Sequence, residues 1–357
     1  MRKIVFVHLF NDLSGSPKVL SQVIRAMHSR KRPIEILTSD HLDGFLSKLP
    51  GLRRNIFYRR SENKVVTLLY FLLTQTILFF YCLRYWRQDA EFYINTMMPC
   101  GAALAAKVMN KDVTYHVHET SIRPPLLKFF LRLAIKVTAK KIIYVSDYLR
   151  KVEGFSNKHQ FTVVNAIDTP LSSLDADSNH TTFKVLMICS LKTYKGVQEF
   201  LDIAKLSLGI RSVNFVLVVN AEKHEIDTFF FDRQTPSNTT VMPRQSNVHS
   251  FYAEASLLLN LSRTDEWIET FGLTIVEAMS YGVPVIVPPV GGPAEIVTDG
   301  HDGYLISCYE TKKIAEAIAR LATNVDLYQH LSINAKTRAK DFNLNTFETS
   351  IAKIIDL

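Results

Sequence analysis

Two glutamates stand out in TDEWIETFGLTIVEAMSYGVPVIVPPVGGPAEIV, residues 264–297: Glu269, just before a glycine turn, and Glu277, in the apolar helix that follows. A carboxylate beside a backbone-exposing glycine, with a second one or two helix turns on, suits a polyhydroxylated ligand that carries phosphate. The carboxylates accept sugar hydroxyls, and free N–H groups at a helix start hold an anion. A β-rich run, Val283 to Val287, and a Gly291-Gly292 turn follow directly. Taken singly, the two glutamates read as a solvated loop residue and a helix-surface residue. Their setting favours a ligand site.

Three other places offer chemistry. Lys195, in CSLKTYKGVQEF, follows a strand and precedes a helix, where a cation neutralises the charge that builds on a departing pyrophosphate. Lys192, in the same segment, reads equally as a surface lysine. Gly15, in DLSGSPKVL, lies in the turn after the first strand. Glycine there lets the backbone approach a phosphate, and the helix from Pro17 adds its N-terminal field; a plain strand-to-helix turn is the competing reading. His116, His118 and Glu119, in TYHVHETS, close a strand, where α/β proteins keep reactive groups, and alternation puts both histidines on one face. Two histidines and a glutamate also suit zinc, but the spacing is not that of a helical HExxH and no third dedicated ligand is evident. No metal site is expected.

The elements that position these residues alternate, strand then helix, twice over. Lys3–Leu9, Ile34–Thr38, Glu91–Asn95, Asp112–Val117, Lys141–Val145 and Phe161–Val164 read as strands of one mostly parallel sheet, with helices at Pro17–His28 and Gly101–Met109. Asp168 to Thr182, DTPLSSLDADSNHTT, is polar and Ser/Asp-rich and reads as a linker. A second series opens at Phe183 and continues with a helix from about Gly196 and a strand at Asn214–Val219. The expected organisation is therefore residues 1–170, a linker at 171–182, a second domain at 183–341 and a terminal helix at 342–357. Two doubly wound domains would leave a cleft between the carboxyl ends of their sheets. A length of 357 residues, with nearly half hydrophobic, supports two cores. The formal charge of +8 points to an anionic partner. Cys82, Cys100, Cys189 and Cys308 form no CxxC pair and read as reduced thiols of a cytosolic protein. The opening MRKIVFVHLF moves straight into a strand broken by His8, so a signal peptide is not expected.

Two segments raise the question of a membrane. Val65 to Leu83 carries no charge and would make a helix roughly 28 Å long, close to the hydrocarbon thickness. The strands before and after it must share one sheet, which argues against a crossing. In Leu126 to Lys141 the cations Lys128, Arg132, Lys136 and Lys140 fall four apart among Phe129, Phe130, Leu133 and Val137. A basic amphipathic helix attracts anionic headgroups, although the solvated face of an ordinary helix has the same pattern.

The segment holding both glutamates, with EAM, GVPVI and GGPAEIV in order, resembles the signature of glycosyltransferase family 4, retaining enzymes of the GT-B fold. The resemblance implies an α/β protein of two Rossmann-like domains with the ligand cleft between them, the terminal helix crossing back to the first domain. It implies that Glu269 contacts the donor sugar, that Glu277 binds the nucleotide ribose, and that Phe271, Gly272 and Leu273 offer backbone N–H groups. His118 resembles the histidine of the sugar-facing wall, and His116 is the better structural residue of the two. Three departures from the family pattern stand out: Thr270 in place of a glycine, Ser190 in place of an arginine whose charge Lys192 would supply, and SGS around Gly15 in place of paired glycines. Asp175-Ala176-Asp177 matches the metal-binding DxD of GT-A enzymes, but lies in the polar linker and reads as solvated loop. The resemblance implies transfer from a nucleotide diphosphate sugar to a lipid-linked saccharide at the cytoplasmic face of a membrane, as in O-antigen, lipopolysaccharide or capsule assembly, without a metal. A nucleotide-sugar epimerase of the same fold and a basic nucleic-acid-binding protein are the alternatives; no RNA-binding motif or helix-turn-helix supports the second.

Overall fold

Most strands are runs rich in valine and isoleucine, whose β-branched side chains pack well on a pleated surface, and among the described residues the computed structural model has thirteen strands in two parallel sheets. It describes residues 1–39, 43–156, 158–168, 182–210, 212–245 and 247–357. The chain divides into Met1–Asn165 with Asn345–Leu357 (unit 1) and Ala166–Leu344 (unit 2). Most of the linker expected at 171–182, with Asp175 and Asp177, lies outside the described residues.

Unit 1 runs β1 (Lys3–Val7), α1 (Gly15–Ser29), β2 (Ile34–Ser39), β3 (Leu52–Ile56), α2 (Lys64–Cys82), β4 (Ala90–Asn95), α3 (Cys100–Val108), β5 (Val113–Val117), α4 (Pro125–Thr138), β6 (Lys141–Tyr144), α5 (Asp147–Glu153) and β7 (His159–Thr162). Its strand order is β3-β2-β1-β4-β5-β6-β7. Unit 2 runs β8 (Phe183–Cys189), α6 (Val197–Leu206), β9 (Val213–Val219), α7 (Lys223–Phe230), β10 (Thr239–Met242), α8 (His249–Glu254), β11 (Leu257–Leu259), α9 (Leu273–Ser280), β12 (Val285–Val287), α10 (Pro293–Ile296), β13 (Gly303–Leu305), α11 (Thr311–Thr323) and α12 (Val325–Ala339). Its order is β10-β9-β8-β11-β12-β13. Each sheet reverses its winding once, between β1 and β4 and between β8 and β11. Such switch points open a crevice at the carboxyl ends of the strands, where ligands bind in open α/β sheets.

The last helix, α13 (Leu344–Asp356), packs in unit 1 but for its first residue. Buried Lys141 secures it by donating to the terminal carbonyls of Ile354 and Ile355, at 2.8 and 2.9 Å, where a helix end carries partial negative charge. Arg32 reaches Asp356 at 2.6 Å.

α2 buries a narrow stripe, Phe71, Thr74, Gln75, Leu78 and Cys82, at helical spacing. It packs closely on α3: a Cβ on Gly101 would stand 2.1 Å from the Gln75 carbonyl, and Gln75 Oε1 accepts the Gly101 N–H at 2.9 Å. Its other face leaves Val65, Leu69, Leu72, Leu73 and Phe80 exposed. By length and composition alone the helix could cross a membrane. The flanking strands β3 and β4 belong to one parallel sheet, so α2 is a crossover connection.

The basic stripe of α4 differs from the sequence expectation. Glu153 on α5, its side chain 1% exposed, pairs with both Lys128 and Arg132, and Lys140 pairs with Asp112 at 3.1 Å. Only Lys136 of the four has no ion pair among the described residues. The sequence showed no acid within the helix, but the acid comes from the next one. What α4 presents outward is mostly apolar, Leu126, Phe129, Phe130, Leu133 and Val137, with Lys136 the exposed cation among them.

Smaller differences concern boundaries. The seventh strand is His159–Thr162, two residues early, and α1 begins at Gly15 and not at Pro17. β3, β10, β11 and β13, three to five residues each, were not anticipated.

Candidate active site

At the switch point of unit 2, two loops leave β8 and β11 and are drawn together by a glycine. Gly196 has φ +80°, and a Cβ there would stand 2.1 Å from the Leu261 carbonyl, so no other residue fits. The Arg263 N–H then donates to Tyr194 O at 2.9 Å, its guanidinium pairs with Glu199, and Tyr194 stacks on Trp267 at 5.2 Å. Lys195 is thereby held against Glu269. Its ammonium donates to Glu269 Oε1, which also accepts from Ser262 Oγ at 3.1 Å, and it stands 5.3 Å from the Trp267 ring centroid. Burial alone would raise the Glu269 carboxyl, but the Lys195 charge and these hydrogen bonds outweigh it and hold the group below the usual range. Glu269 is a fixed carboxylate.

The next turn leads into α9. Thr270 stays out of the left-handed region; Gly272 takes it instead, at φ +113°, and caps the helix. Gly291 and Gly292 lie against this loop, backbone on backbone: a Cβ at either would stand 2.4 Å from Glu269 O or Phe271 Cα, and Gly292 N–H donates to Glu269 O at 2.8 Å. The Phe271 side chain is buried, facing Phe342. The first N–H to close a bond back to the cap is that of Ile275, to Gly272 O at 3.0 Å, so the amides of Gly272, Leu273 and Thr274 form the open helix start. One turn into α9, Glu277 accepts from the fully buried Tyr252 hydroxyl at 2.6 Å.

Ser190 and Lys192 lie on the loop after β8 and line a cavity of about 380 Å³ with Asn220, His224 and Phe229. Lys192 is exposed and Ser190 half-buried. The cavity lies on the β9 side of that loop, and Glu269 and Glu277 are not in its lining.

In unit 1, His118 follows β5 at the other switch point. Its Nε2 meets Asn95 Oδ1 at 2.9 Å, and its ring lies 4.3 Å from that of His116. His116 is fully buried and bonded through Nδ1 to the Tyr93 hydroxyl at 2.8 Å. Burial holds both imidazoles in the neutral form, taking His116 down to about 3 and His118 well below the usual value. Burial pushes the Glu119 carboxyl up to about 7, although it accepts from the Met97 and His118 N–H groups at 2.7 and 3.2 Å. These groups serve one another, and among the described residues no cluster of three or more His, Cys, Asp or Glu has metal-binding form. Gly15 is the first residue of α1 and not part of the preceding turn. Its neighbour Ser16 joins the same cluster by accepting from Asn95 Nδ2 at 3.2 Å.

The structure thus gathers Lys195 and Glu269 directly, sets Phe271, Gly272, Leu273 and Glu277 along the start of α9, and brings His118 and Ser16, the neighbour of Gly15, to Asn95. Sequence reading missed Ser262, Trp267, Tyr252 and Asn95. Their signal was weak because each acts through a neighbour distant in the chain.

Residues 173–338 match the family model for glycosyl transferases group 1. A glycosyltransferase of Methanocaldococcus jannaschii is 27% identical over 234 residues, a match spanning 64% of this chain and 62% of that protein. Among solved structures, Anabaena HepE in complex with UDP and glucose superposes with a TM-score of 0.82 at 20% identity, covering 100% of both chains. A sucrose-phosphate synthase of Thermosynechococcus elongatus gives 0.81 at 16% identity, covering 100% of this chain and 98% of that one. The fold is that of GT-B glycosyltransferases, and residues 173–338 resemble the glycosyl transferases group 1 domain.

Proposed function

We propose that this chain is a retaining glycosyltransferase that moves a sugar from a nucleotide diphosphate donor to a lipid-linked saccharide. The carrying observation is the Lys195–Glu269–Ser262 cluster beside the open start of α9, at the switch point of unit 2. In this reading Glu269 accepts hydroxyls of the donor sugar. The amides of Phe271, Gly272 and Leu273 donate to sugar hydroxyls, while Lys195 and the start of α9 stabilise the charge that gathers on the departing phosphate, which lowers the barrier where that charge develops. Glu277 accepts from the ribose, and Ser190 and Lys192 line the adjoining cavity as further donor contacts. In unit 1, His118 and Gly15, at the start of α1, are the residues this reading assigns to sugar binding. These groups supply the electrostatics without a metal ion.

The fold does not choose the acceptor, since a sucrose-phosphate synthase shares it. A lipid-linked acceptor is supported by the apolar faces that α2 and α4 leave exposed. Such faces fit peripheral docking on the cytoplasmic surface of a membrane, with the net charge of +8 favouring anionic lipid, and surface-polysaccharide assembly is the setting this suits. The test begins with thermal stabilisation by a panel of nucleotide sugars; a ligand at one hundred times its Kd adds about 2.7 kcal/mol. Release of nucleoside diphosphate only when a lipid-linked saccharide is added, with the anomeric configuration kept, is the expected result. A rearranged nucleotide sugar formed without any acceptor would make the protein an epimerase instead.

A further inference from the structure

Asn95 ends β4 at the switch point of unit 1 and is fully buried. Its amide faces three groups from three other segments. Nδ2 stands 3.2 Å from Ser16 O in the first turn of α1 and 3.1 Å from His8 Nδ1 at the exit of β1, and Oδ1 stands 2.9 Å from His118 Nε2. A carbonyl only accepts, so the amide nitrogen must face Ser16 and the amide oxygen must face His118. That oxygen also only accepts, so His118 must carry its proton on Nε2. The second amide hydrogen points to His8 Nδ1, which accepts it.

We propose that Asn95 is a positioning residue of this site, fixing His118 as the neutral Nε2–H tautomer in one orientation toward the saccharide. The proposal rests on the reading of His118 as a sugar-facing residue. Which imidazole nitrogen carries the proton is set by what the other groups around the ring accept or donate. An amide offers geometry without the charge that would draw a second proton onto the ring. The next residue, Thr96, holds φ +71° with its N–H donated to His116 O at 2.8 Å, a left-handed backbone that the surroundings impose on a β-branched residue. Among the described residues, the titratable groups near His118 include His116, His8 and Glu119, with Asp12 and Arg60 acting on His8.

Imidazole nitrogen spectra of the full chain labelled with ¹⁵N-histidine test the assignment, the His118→Gln variant identifying the ring. The expected result is a neutral ring protonated at Nε2 from about pH 6 to about pH 8. A ring protonated at Nδ1, or an imidazolium in that range, overturns the proposal. Asn95→Asp should then draw a proton onto His118 and move the acid limb of the turnover profile up by about one pH unit or more. An unmoved limb in a folded variant also overturns it. If that variant does not fold, the wild-type spectrum still decides. A wild-type chain inactive with every donor would remove the transferase reading and leave the tautomer standing, whereas a wrong tautomer does the reverse.

Discussion

Glu269 keeps its charge because Lys195 stands against it, and Lys195 stands there because Gly196 lets its loop close on the Leu261 carbonyl. Removing the cation should act twice. Lys195→Ala is expected to lose turnover on the order of 10²-fold, since the leaving phosphate loses its nearest charge. It should also cost about 2 kcal/mol of stability, because the Glu269 side chain, 19% exposed, is left without its counter-charge. Lys195→Ala with Glu269→Gln should regain that stability but not the turnover, as read by thermal unfolding and by rates. Equal stability in the single and double variants would mean that Ser262 and water suffice to solvate the carboxylate. On α9, Glu277→Ala should weaken donor binding measured by calorimetry, and Tyr252→Phe should do so less, because it removes the hydroxyl that steers Glu277 and leaves the carboxylate. Unchanged affinity in Glu277→Ala would withdraw the ribose role.

Helices and loops decide what a charge is for, and α4 shows it. Lys128 and Arg132 hold Glu153, so reversing both to glutamate would leave a buried carboxylate among its like and should cost about 3–5 kcal/mol. Charge reversal therefore tests the fold and not the membrane. The informative variant is Leu126→Gln, Phe129→Gln and Leu133→Gln, all exposed. It should release the protein from anionic liposomes in flotation while thermal unfolding stays near wild type. Liposome binding that persists would shift the docking role to α2 or dismiss it. The same helix marks what the sequence could tell. The alternation of strands and helices, the two-part organisation and the Glu269–Glu277 segment were legible because they rest on local period and spacing. The partner of Lys128 was not, since Glu153 lies on another helix. The short strands β3, β10, β11 and β13 were not either: their apolar runs are brief, and Leu52–Ile56 carries two arginines. Gly272 was read as a turn, but its left-handed φ and its place as the cap of α9 show only in the folded chain.

At the scale of whole units, the two sheets should answer acid differently. In unit 1 burial takes His8 down to about 4 and His116 to about 3, and His118 is lowered as well, so all three are neutral when folded. The unfolded chain takes up protons on these groups below its ordinary histidine value of about 6.5. Their stabilisation is therefore complete above that value and is lost as pH falls from 6.5 toward 4, at up to about 1.4 kcal/mol per pH unit for each group. Glu119 works the other way: raised to about 7, it takes its proton in the folded state first and so favours folding as pH falls from 7 through the ordinary carboxylate range. Burial raises Glu91 of β4 as well, so three histidines stand against two carboxyls and leave a net loss. Unit 2 has the lowered Glu269, whose stabilisation is lost only as pH falls below the ordinary carboxylate value. Hydrogen exchange, corrected for intrinsic rates, should show protection of the β1, β4 and β5 amides falling between pH 7 and pH 5 while that of β8 and β9 holds. His8→Asn should flatten the first trend. Level protection in β1, β4 and β5 down to pH 5 would mean that water reaches these imidazoles and that the switch point of unit 1 is open in solution.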